Sequence, residues 1–227
     1  MTVTDLFESR PDETTATLFA VSDGKSQPAG VVLNEEHSLA LSLENTLLHR
    51  FTCSPAQLGE LCAGWLFTQG YDVDSLEVAQ DGTAATARGA CTASAPVQPI
   101  SNTDPLPATP DEMLALFLES SDKYRRSHGM HSCILKTNSW QIIRTDIGRH
   151  NAIDKAVGAA ILAGYDLQGA VMFSSGRINV QTVEKAARCG VGCLMSKAVI
   201  TTQALTLAKA LRLRVFFCVK DGSYMAV

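Results

Sequence analysis

The second half of the chain is organised around the stretch Thr145-Asp146-Ile147-Gly148-Arg149-His150-Asn151-Ala152-Ile153-Asp154-Lys155. An apolar run precedes it at positions 140, 142 and 143, and apolar residues follow with a helical period from position 152 to 161. This pattern predicts that a strand ends and a helix begins between Asp146 and Asn151. Ligands of open α/β sheets bind at such strand ends, and helix N-termini attract anions. A solvated, salt-bridged turn is the other interpretation of the same charges.

The pattern of strand and helix continues to the C-terminus. A buried strand over 170–174 ends in Ser174-Ser175-Gly176-Arg177, and Asn179 caps the next helix. Strands over 193–196 and 214–219 follow, with a helix that opens at Thr201-Thr202 between them. The order β-α-β-α-β-α-β predicts parallel strands with helices on both faces, which is an α/β domain.

The N-terminal half has a different pattern. Residues 1–29 are polar with no sustained period, so a frayed lead-in is predicted there. Residues 30–108 predict a β-rich subdomain that contains hairpins over 39–52 and around Asp81-Gly82. Ser54-Pro55 predicts the N-cap and first position of one helix that Gly70 ends. Residues 109–227 form the predicted α/β domain.

Composition describes an ordinary globular protein of one or two domains, with 227 residues, 46% of them hydrophobic and 19% charged. No apolar run is long enough to span a bilayer, and acids occupy the first 27 residues, where a signal peptide needs an apolar core. These features predict a cytoplasmic protein with no membrane contact. The seven cysteines are an odd number, so reduced thiols are expected rather than a disulfide framework.

Charge is divided unevenly between the two halves. Residues 1–143 hold 8 Lys and Arg against 18 Asp and Glu, a net of −10, whereas residues 144–227 hold 11 against 5, a net of +6. The second half therefore favours an anionic partner. Basic residues are not interleaved with aromatics, so a nucleic acid is not predicted, and a small phosphate-bearing ligand fits better.

Cys91 and His131 are the remaining candidates for chemistry. Cys91 lies in a segment of small and polar residues over 88–110, which predicts a loop and an accessible thiol. A chance surface cysteine in a linker is the other interpretation, and composition alone favours it. The spacing His128-x-x-His131 has no third ligand, so a pocket wall is predicted and no metal is expected.

The long stretch, together with Ser175-Gly176-Arg177, Cys189-Gly190-Val191 and Thr201-Thr202-x-Ala204, resembles the FdhD/NarQ family of formate dehydrogenase accessory sulfurtransferases. The resemblance extends backward through His131 to the helix that ends Gly64-Trp65-Leu66-x-x-x-Gly70. It implies a cytidine-deaminase-like three-layer α/β domain with a smaller N-terminal β-rich subdomain.

The resemblance also implies a sulfur relay. Family members take persulfide sulfur from a cysteine desulfurase and pass it to the molybdenum cofactor, in its bis(guanine dinucleotide) form, before insertion into formate dehydrogenase. The family carrier is the first cysteine of a Cys-x-x-Cys loop. Here Cys91-Thr92-Ala93-Ser94 occupies that place, with serine as the second member. Cys91 is therefore the expected catalytic residue, since one thiolate suffices to accept and donate one sulfur.

The cofactor pocket is expected to bind GDP as a mimic of the guanine dinucleotide. The stretch that matches the family's cofactor-binding segment lacks its arginine, which leaves Lys220 as the substitute cation. The expected cofactor-binding residues are Phe217, Cys218, Val219, Lys220, Asp221, Gly222, His131, Asp146, Arg149, His150, Lys155, Ser175 and Arg177.

Two other functions stay open from the sequence. The missing second cysteine favours a cofactor- or nucleotide-binding chaperone without sulfur transfer. A zinc deaminase of the same fold needs H-x-E and P-C-x-x-C signatures, and neither His131-Ser132-Cys133 nor Cys189-Gly190-Val191-Gly192-Cys193 matches them. Pairing of two copies into a homodimer also stays open.

Overall fold

A computed structural model describes residues 1–90, 96–100, 105–120, 127–220 and 222–227. The helices in these residues are α1 (Leu58–Gln69), α2 (Pro110–Ser120), α3 (Arg149–Leu162), α4 (Val180–Arg188) and α5 (Thr202–Ala210). The strands are β1 (Thr2–Asp5), β2 (Glu13–Ser22), β3 (Lys25–Asn34), β4 (His37–Leu43), β5 (Thr46–Cys53), β6 (Asp72–Val78), β7 (Ala84–Ala90), β8 (His131–Lys136), β9 (Gln141–Asp146), β10 (Val171–Ser174), β11 (Cys193–Ser196), β12 (Arg214–Lys220) and β13 (Ser223–Ala226).

Two sheets carry the hydrophobic core, which has one cluster in the N-terminal half and one on each face of the C-terminal sheet. The first has the order β1-β6-β7-β4-β5 and packs on α1, where Leu39 and Leu41 meet Leu61 and Leu66. The second has the order β13-β12-β11-β10-β8-β9. Helices α3, α4 and α5 contribute to the core on one face of this sheet, and α2 packs on the other through Phe117. The predicted α/β domain with a β-rich subdomain before it is confirmed.

The strand directions of the second sheet explain where its functional edge lies. Strand β10 is parallel to β11, and β11 is parallel to β12. Strand β8 lies between β9 and β10 and is antiparallel to both, so β9 runs in the same direction as β10. The expectation of parallel strands is therefore correct for β9 to β12, which are the strands of the predicted β-α-β-α-β-α-β order, whereas β8 and β13 lie outside that pattern and are antiparallel to their neighbours. Short turns join β8 to β9 and β12 to β13, and such turns require antiparallel neighbours.

The prediction of a frayed segment over residues 1–29 is wrong. Strand β1 pairs in parallel with β6, and Asp5 accepts a hydrogen bond from the backbone of Gly59 at 2.9 Å. Strands β2 and β3 form a long hairpin whose turn is Asp23-Gly24, with φ angles of 51° and 71°. Asp-Gly with two positive φ angles is a strong hairpin signal, and it outweighs the polar composition of the segment.

The prediction that Ser54 caps α1 is also wrong, because the N-cap is Gln57 and Ser54 binds the second half of the chain instead. Helix α1 crosses α3 at very short range. A Cβ atom added to Gly64 would lie 1.8 Å from the carbonyl oxygen of Asp154, and one added to Gly158 would lie 1.9 Å from that of Glu60. Glycine at both positions is what allows the two helices to hold the halves together.

Candidate functional site

The turn between β9 and α3 is built around the carboxylate of Asp146, which is fully buried. Its Oδ1 accepts hydrogen bonds from the backbone N–H of Gly148 at 2.8 Å and from Asn151 Nδ2 at 2.9 Å. Its Oδ2 accepts from the backbone N–H of Ser54 at 3.0 Å and pairs with Lys155 Nζ at 2.6 Å. The carboxylate of Asp146 therefore closes its own turn and also joins the two halves of the chain.

The ammonium group of Lys155 is completely occupied by protein atoms. It is fully buried, pairs with Asp146, and donates to the hydroxyl of Ser54 at 2.8 Å and to the Ser54 carbonyl at 3.3 Å. A lysine has only three N–H groups. The expected contact between Lys155 and a phosphate is therefore replaced by a role in supporting the turn, and Asp146 has the same role.

Arg149, the first residue of α3, is available to a ligand. Its aliphatic chain lies over Gly176, where an added Cβ would be 2.8 Å from Arg149 Cβ. Its Nε atom is buried and has no hydrogen-bond partner among the described residues. Helix α3 has no side-chain cap and no acid in its first turn. Buried donors are normally satisfied, so this arrangement fits an anion at the start of the helix.

Each of the strands β9 to β12 is followed or ended by one cation at the same edge of the sheet. Because these strands run in the same direction, Arg149 and Arg177 follow β9 and β10, Lys197 follows β11, and Lys220 ends β12. We call these four residues the cationic edge. Arg177 and Lys220 are exposed, whereas the ammonium of Lys197 lies 4.9 Å from the centre of the Phe117 ring. Lys197 was not predicted, although its position directly after a strand was the available signal.

His131 and Ser175 lie beside this edge. His131 Nδ1 is 3.2 Å from Ser175 Oγ, and that hydroxyl also accepts the backbone N–H of Ser132 at 3.0 Å. Burial lowers the pKa of His131, with a further decrease from the charges of Arg149 and Lys197. A neutral His131 therefore adds a polar wall to the cationic edge without adding a charge.

The predicted cofactor-binding stretch, residues 217–222, ends at the cationic edge of the sheet, but its residues lie in different environments. Phe217 and Val219 pack into cores on opposite faces, and Asp221 lies outside the described residues. Cys218 has a φ of 55° and donates its backbone N–H to the carbonyl of Ala198 at 3.0 Å. Gly222 lies in the turn before β13, with a φ of 78°. Lys220 is thus the side chain of this stretch most available to a phosphate.

A second site opens on the other side of the α3 N-terminus. It is a cavity of about 620 Å³ between α1, α3 and α4, which we call the central cavity. Its size falls in the range of small-molecule sites. The lining residues are His49, Trp65, Thr68, Gln69, Pro96, Val97, His150, Asn151, Asp154, Gln181, Glu184, Lys185 and Arg188.

The floor of the central cavity contains a buried ion pair. Lys185 Nζ lies 2.6 Å from Asp154 Oδ1 and donates to Thr68 Oγ1 at 2.9 Å. The Thr68 hydroxyl lies 3.0 Å from the same carboxylate oxygen. Burial raises the pKa of Asp154, and Lys185 opposes that shift. The pair ties α1, α3 and α4 together, so it gives the cavity a fixed floor.

His150 points toward the central cavity rather than the cationic edge. Its Nε2 lies 3.1 Å from Asn179 Oδ1, and that oxygen also accepts the backbone N–H of Thr182 at 3.0 Å. Burial lowers the pKa of His150 to about 4; the hydrogen bond to Asn179 opposes this shift, and Arg149 and Lys185 reinforce it. His150 is therefore a neutral imidazole at neutral pH, and the expected contact with a phosphate is better supplied by Arg149.

None of the six cysteines that the structure describes has the fully accessible thiol that a sulfur carrier needs. Five are buried, and burial raises their thiol pKa values, to about 12 for Cys53, Cys189 and Cys193 and in the same direction for Cys62 and Cys133. Cys218 is half-buried. Cys91, the predicted carrier, lies outside the described residues.

The described residues contain no group of three or more His, Cys, Asp or Glu side chains that could hold a metal ion. Cys189 and Cys193 pack in cores on opposite faces of the sheet, so they do not join His131 in a zinc site. In the same part of the chain, no helix has the length and apolar character needed to cross a membrane.

The fold and these two sites define an α/β protein with a β-rich subdomain and a row of cations beside a cavity. A model of the FdhD/NarQ family matches residues 79–226, well over half of the chain. The chain belongs to the FdhD/NarQ family, which confirms the resemblance found in the sequence.

Individual relatives agree with this assignment. The chain is 37% identical over 118 residues to the sulfur carrier protein FdhD of Halalkalibacterium halodurans, covering 50% of this chain and 44% of that protein. It is 34% identical over 120 residues to the sulfur carrier protein FdhD of Bacillus subtilis, covering 51% and 46%. The matched region thus spans about half the length of these curated relatives.

A crystal structure supports the fold independently. It belongs to a protein from Desulfotalea psychrophila that is described as a formate dehydrogenase accessory protein. The TM-score is 0.83 at 23% identity, and the match covers 95% of this chain and 96% of that one. At this identity the likeness establishes the architecture.

Proposed function

We propose that this protein is a sulfur carrier that serves formate dehydrogenase. Its sulfur comes from a cysteine desulfurase in the cytoplasm and goes to the molybdenum cofactor in its bis(guanine dinucleotide) form, before that cofactor enters the enzyme. In this proposal the cofactor is a substrate in transit, and formate dehydrogenase activity depends on its sulfuration. The name that the curated relatives share supports the carrier role.

The observation that carries the proposal is the state of the thiols. Because burial holds five described thiols in their protonated form, they are poor nucleophiles. Cys91 and the half-buried Cys218 remain, and Cys91 is the carrier because its place matches the first cysteine of the family's loop. Its thiolate attacks the outer sulfur of a donor persulfide, a new S–S bond forms at Cys91, and the donor leaves as a thiol after taking a proton.

The position of the chain on either side of Cys91 supports a role for the central cavity. Ala90 pairs with Asp72, which directly follows Tyr71, and the Tyr71 ring stacks on the cavity residue Trp65. Pro96, where the described chain resumes, lines the cavity itself.

The cationic edge supports the cofactor part of the proposal. Arg149, with its unpartnered Nε, is the central phosphate contact, and Arg177, Lys197 and Lys220 lie at the ends of the strands that follow β9 in the sequence. A guanidinium can hold phosphate oxygens in a bidentate manner, and lysines contribute point charges. The uncapped N-terminus of α3 adds backbone N–H groups for the same oxygens.

The test is to incubate the protein with a cysteine desulfurase and cysteine, and to map the added sulfur by mass spectrometry. We expect one additional sulfur on Cys91, its loss in Cys91→Ser, and its retention in the control Cys218→Ser. Sulfur on Cys189, Cys193 or Cys218 with none on Cys91 would contradict the proposal.

A second candidate function is a cofactor-binding chaperone without sulfur transfer. The observation that favours it is Ser94, which stands where the family has its second cysteine. The same experiment separates the two functions, because a chaperone binds GDP at the cationic edge and gains no sulfur on Cys91.

A further inference from the structure

We infer that the central cavity is a binding site for a cysteine-type thiol, whose S–H group donates a hydrogen bond to Nδ1 of His150. The thiol is that of free cysteine or of a cysteinyl residue in a peptide. The choice of a thiol rests on the proposed function, whereas the shape and polarity of the site follow from the described residues.

The hydrogen bonds of Asn179 fix the tautomer of His150. Asn179 Oδ1 accepts the backbone N–H of Thr182 at 3.0 Å and its hydroxyl at 2.9 Å, so this atom is the oxygen of the amide and acts as an acceptor. His150 Nε2, 3.1 Å away, must therefore carry the hydrogen. In a neutral imidazole, Nδ1 is then a bare acceptor.

Nδ1 of His150 is open to a ligand. It has no hydrogen-bond partner among the described residues, and it is not one of their buried unsatisfied atoms. Since His150 lines the central cavity, a group bound there can reach this nitrogen. The bound group must be a hydrogen-bond donor, because an acceptor atom would place its own lone pair against the lone pair of Nδ1.

The charges around the cavity exclude a phosphate-rich ligand. Asp154 and Glu184 balance Lys185 and Arg188 in formal charge, and both histidines of the lining have lowered pKa values because of burial. The cationic edge differs, since it brings four basic residues to the ends of neighbouring strands. A ligand without net charge, such as zwitterionic cysteine, matches the cavity better than the edge.

The walls of the cavity suit the carbon and sulfur atoms of such a ligand. Pro96 and Val97 provide apolar surface, and the Trp65 ring is held by stacking on His49 at 5.1 Å and on Tyr71 at 5.8 Å. An ordinary thiol has a pKa of about 8.5, so it keeps its hydrogen at neutral pH. The thiol is also the group that remains when a persulfide has given up its outer sulfur.

The experiment measures binding in a Cys91→Ala background, where covalent exchange at Cys91 is impossible. L-cysteine and glutathione are titrated under reducing conditions, and each is compared with its S-methyl derivative, which lacks the donor. We expect at least one of the two thiols to bind about three- to tenfold more tightly than its S-methyl form, the size of one hydrogen bond. Preference for L-cysteine identifies the free amino acid, and preference for glutathione identifies a peptide-borne thiol.

His150→Gln removes the Nδ1 acceptor and keeps an amide group that can bind Asn179. We expect this variant to fold and to lose the preference for the thiol, whereas the control His37→Gln, at a histidine that bonds the Gly82 carbonyl outside the cavity lining, keeps it. Equal affinity for thiols and S-methyl forms, or a preference that survives in His150→Gln, would overturn the inference. Mapping of sulfur to Cys91 is unaffected by that result, so the proposed function can fail or succeed separately.

A two-bond ¹H–¹⁵N spectrum of the histidine rings gives a second measurement that does not depend on affinity. We expect the Nε2–H tautomer for His150 at neutral pH and a shift of the Nδ1 signal when the thiol is added. The Nδ1–H tautomer would overturn the inference directly.

Discussion

Arg149 and His150 are neighbours in the first turn of α3, yet they face sites of opposite character. Arg149 lies at the cationic edge with an unpartnered Nε, whereas His150 lines the central cavity as a neutral base. Consecutive helical residues point about 100° apart, so one helix start can serve two sites. In the proposed function, a phosphate can thus bind at the cationic edge and an uncharged thiol in the central cavity, each next to its own residue of the same helix turn.

Both acids of the central stretch support this separation instead of contacting a ligand. Asp146 is neutralised by Lys155 and Asp154 by Lys185, in each case inside the protein. Because these two carboxylates are saturated internally, they do not neutralise Arg149 at the surface. The difference between the sites therefore depends on which cations the buried acids bind.

The largest expected effect comes from Asp146→Ala, which would remove the common support of both sites. It leaves the Lys155 ammonium buried without a counter-charge and frees the donors of Ser54, Gly148 and Asn151. Breaking one partner of a buried pair costs about 3–5 kcal/mol. Urea denaturation should show a loss of this size in the free energy of unfolding.

Arg88→Ala is the matched control, because Arg88 forms an exposed pair with Glu44 in which the side chains are 68% and 54% accessible. We expect a change of about 0–1 kcal/mol there. A similarly small change for Asp146→Ala would mean that the turn is held by other contacts.

The next effect concerns the cationic edge alone. Arg149→Ala should weaken GDP binding by about ten- to hundredfold, since a hydrogen bond to a charged group contributes about 1.5–3 kcal/mol. Stability should change little, because Arg149 takes part in none of the ion pairs identified within the described residues. Titration calorimetry at low and high salt measures both the loss and its screening.

Lys209→Ala, which removes one cation from the far end of α5, controls for net charge. It should leave GDP affinity within about twofold of wild type, because exposed charges more than about 10 Å apart are largely screened at 0.1 M salt. Equal losses in Arg149→Ala and Lys209→Ala would mean that the edge acts only through overall charge. The distinction between a built anion site and a neutral cavity would then fail.

The sequence predicted the α/β domain well because its signals are local. Apolar periods, Asn179 as a cap and the glycine that ends α1 need only neighbouring residues, and the structure confirms them. The order of the strands in the sheet was not predicted, because it depends on contacts between distant segments. The hairpin of β2 and β3 was not predicted, because the polar composition of the segment hides the Asp23-Gly24 turn signal.

The site was predicted as a group of residues, but their roles were not separable from the sequence alone. Lys155 and Arg149 are both basic residues at the start of one helix, and only the position of Ser54, far away in the chain, shows that Lys155 is consumed internally. Likewise, the neutrality of His150 depends on Asn179 and on burial, which a linear pattern does not record.

The smallest expected effect tests the neutrality of the cavity through pH. Burial, chiefly, brings the pKa of His150 from its ordinary 6.5 to about 4 in the folded protein. Between these values the unfolded chain binds a proton that the folded protein does not, so His150 contributes stability above pH 6.5 that is lost as the pH falls toward 4. His150→Gln should therefore show a shallower decrease in unfolding free energy over this window, while its slope above pH 7 matches wild type. The two proteins differ by the uptake of at most one proton on unfolding. His131 and His49, whose pKa values burial also lowers, contribute equally to the pH dependence of both proteins.

Identical slopes from pH 4 to 6.5 would mean that His150 titrates normally and carries charge at mildly acidic pH. In that case the central cavity would be cationic under the same conditions as the edge, and the two sides of the α3 N-terminus would no longer differ in kind.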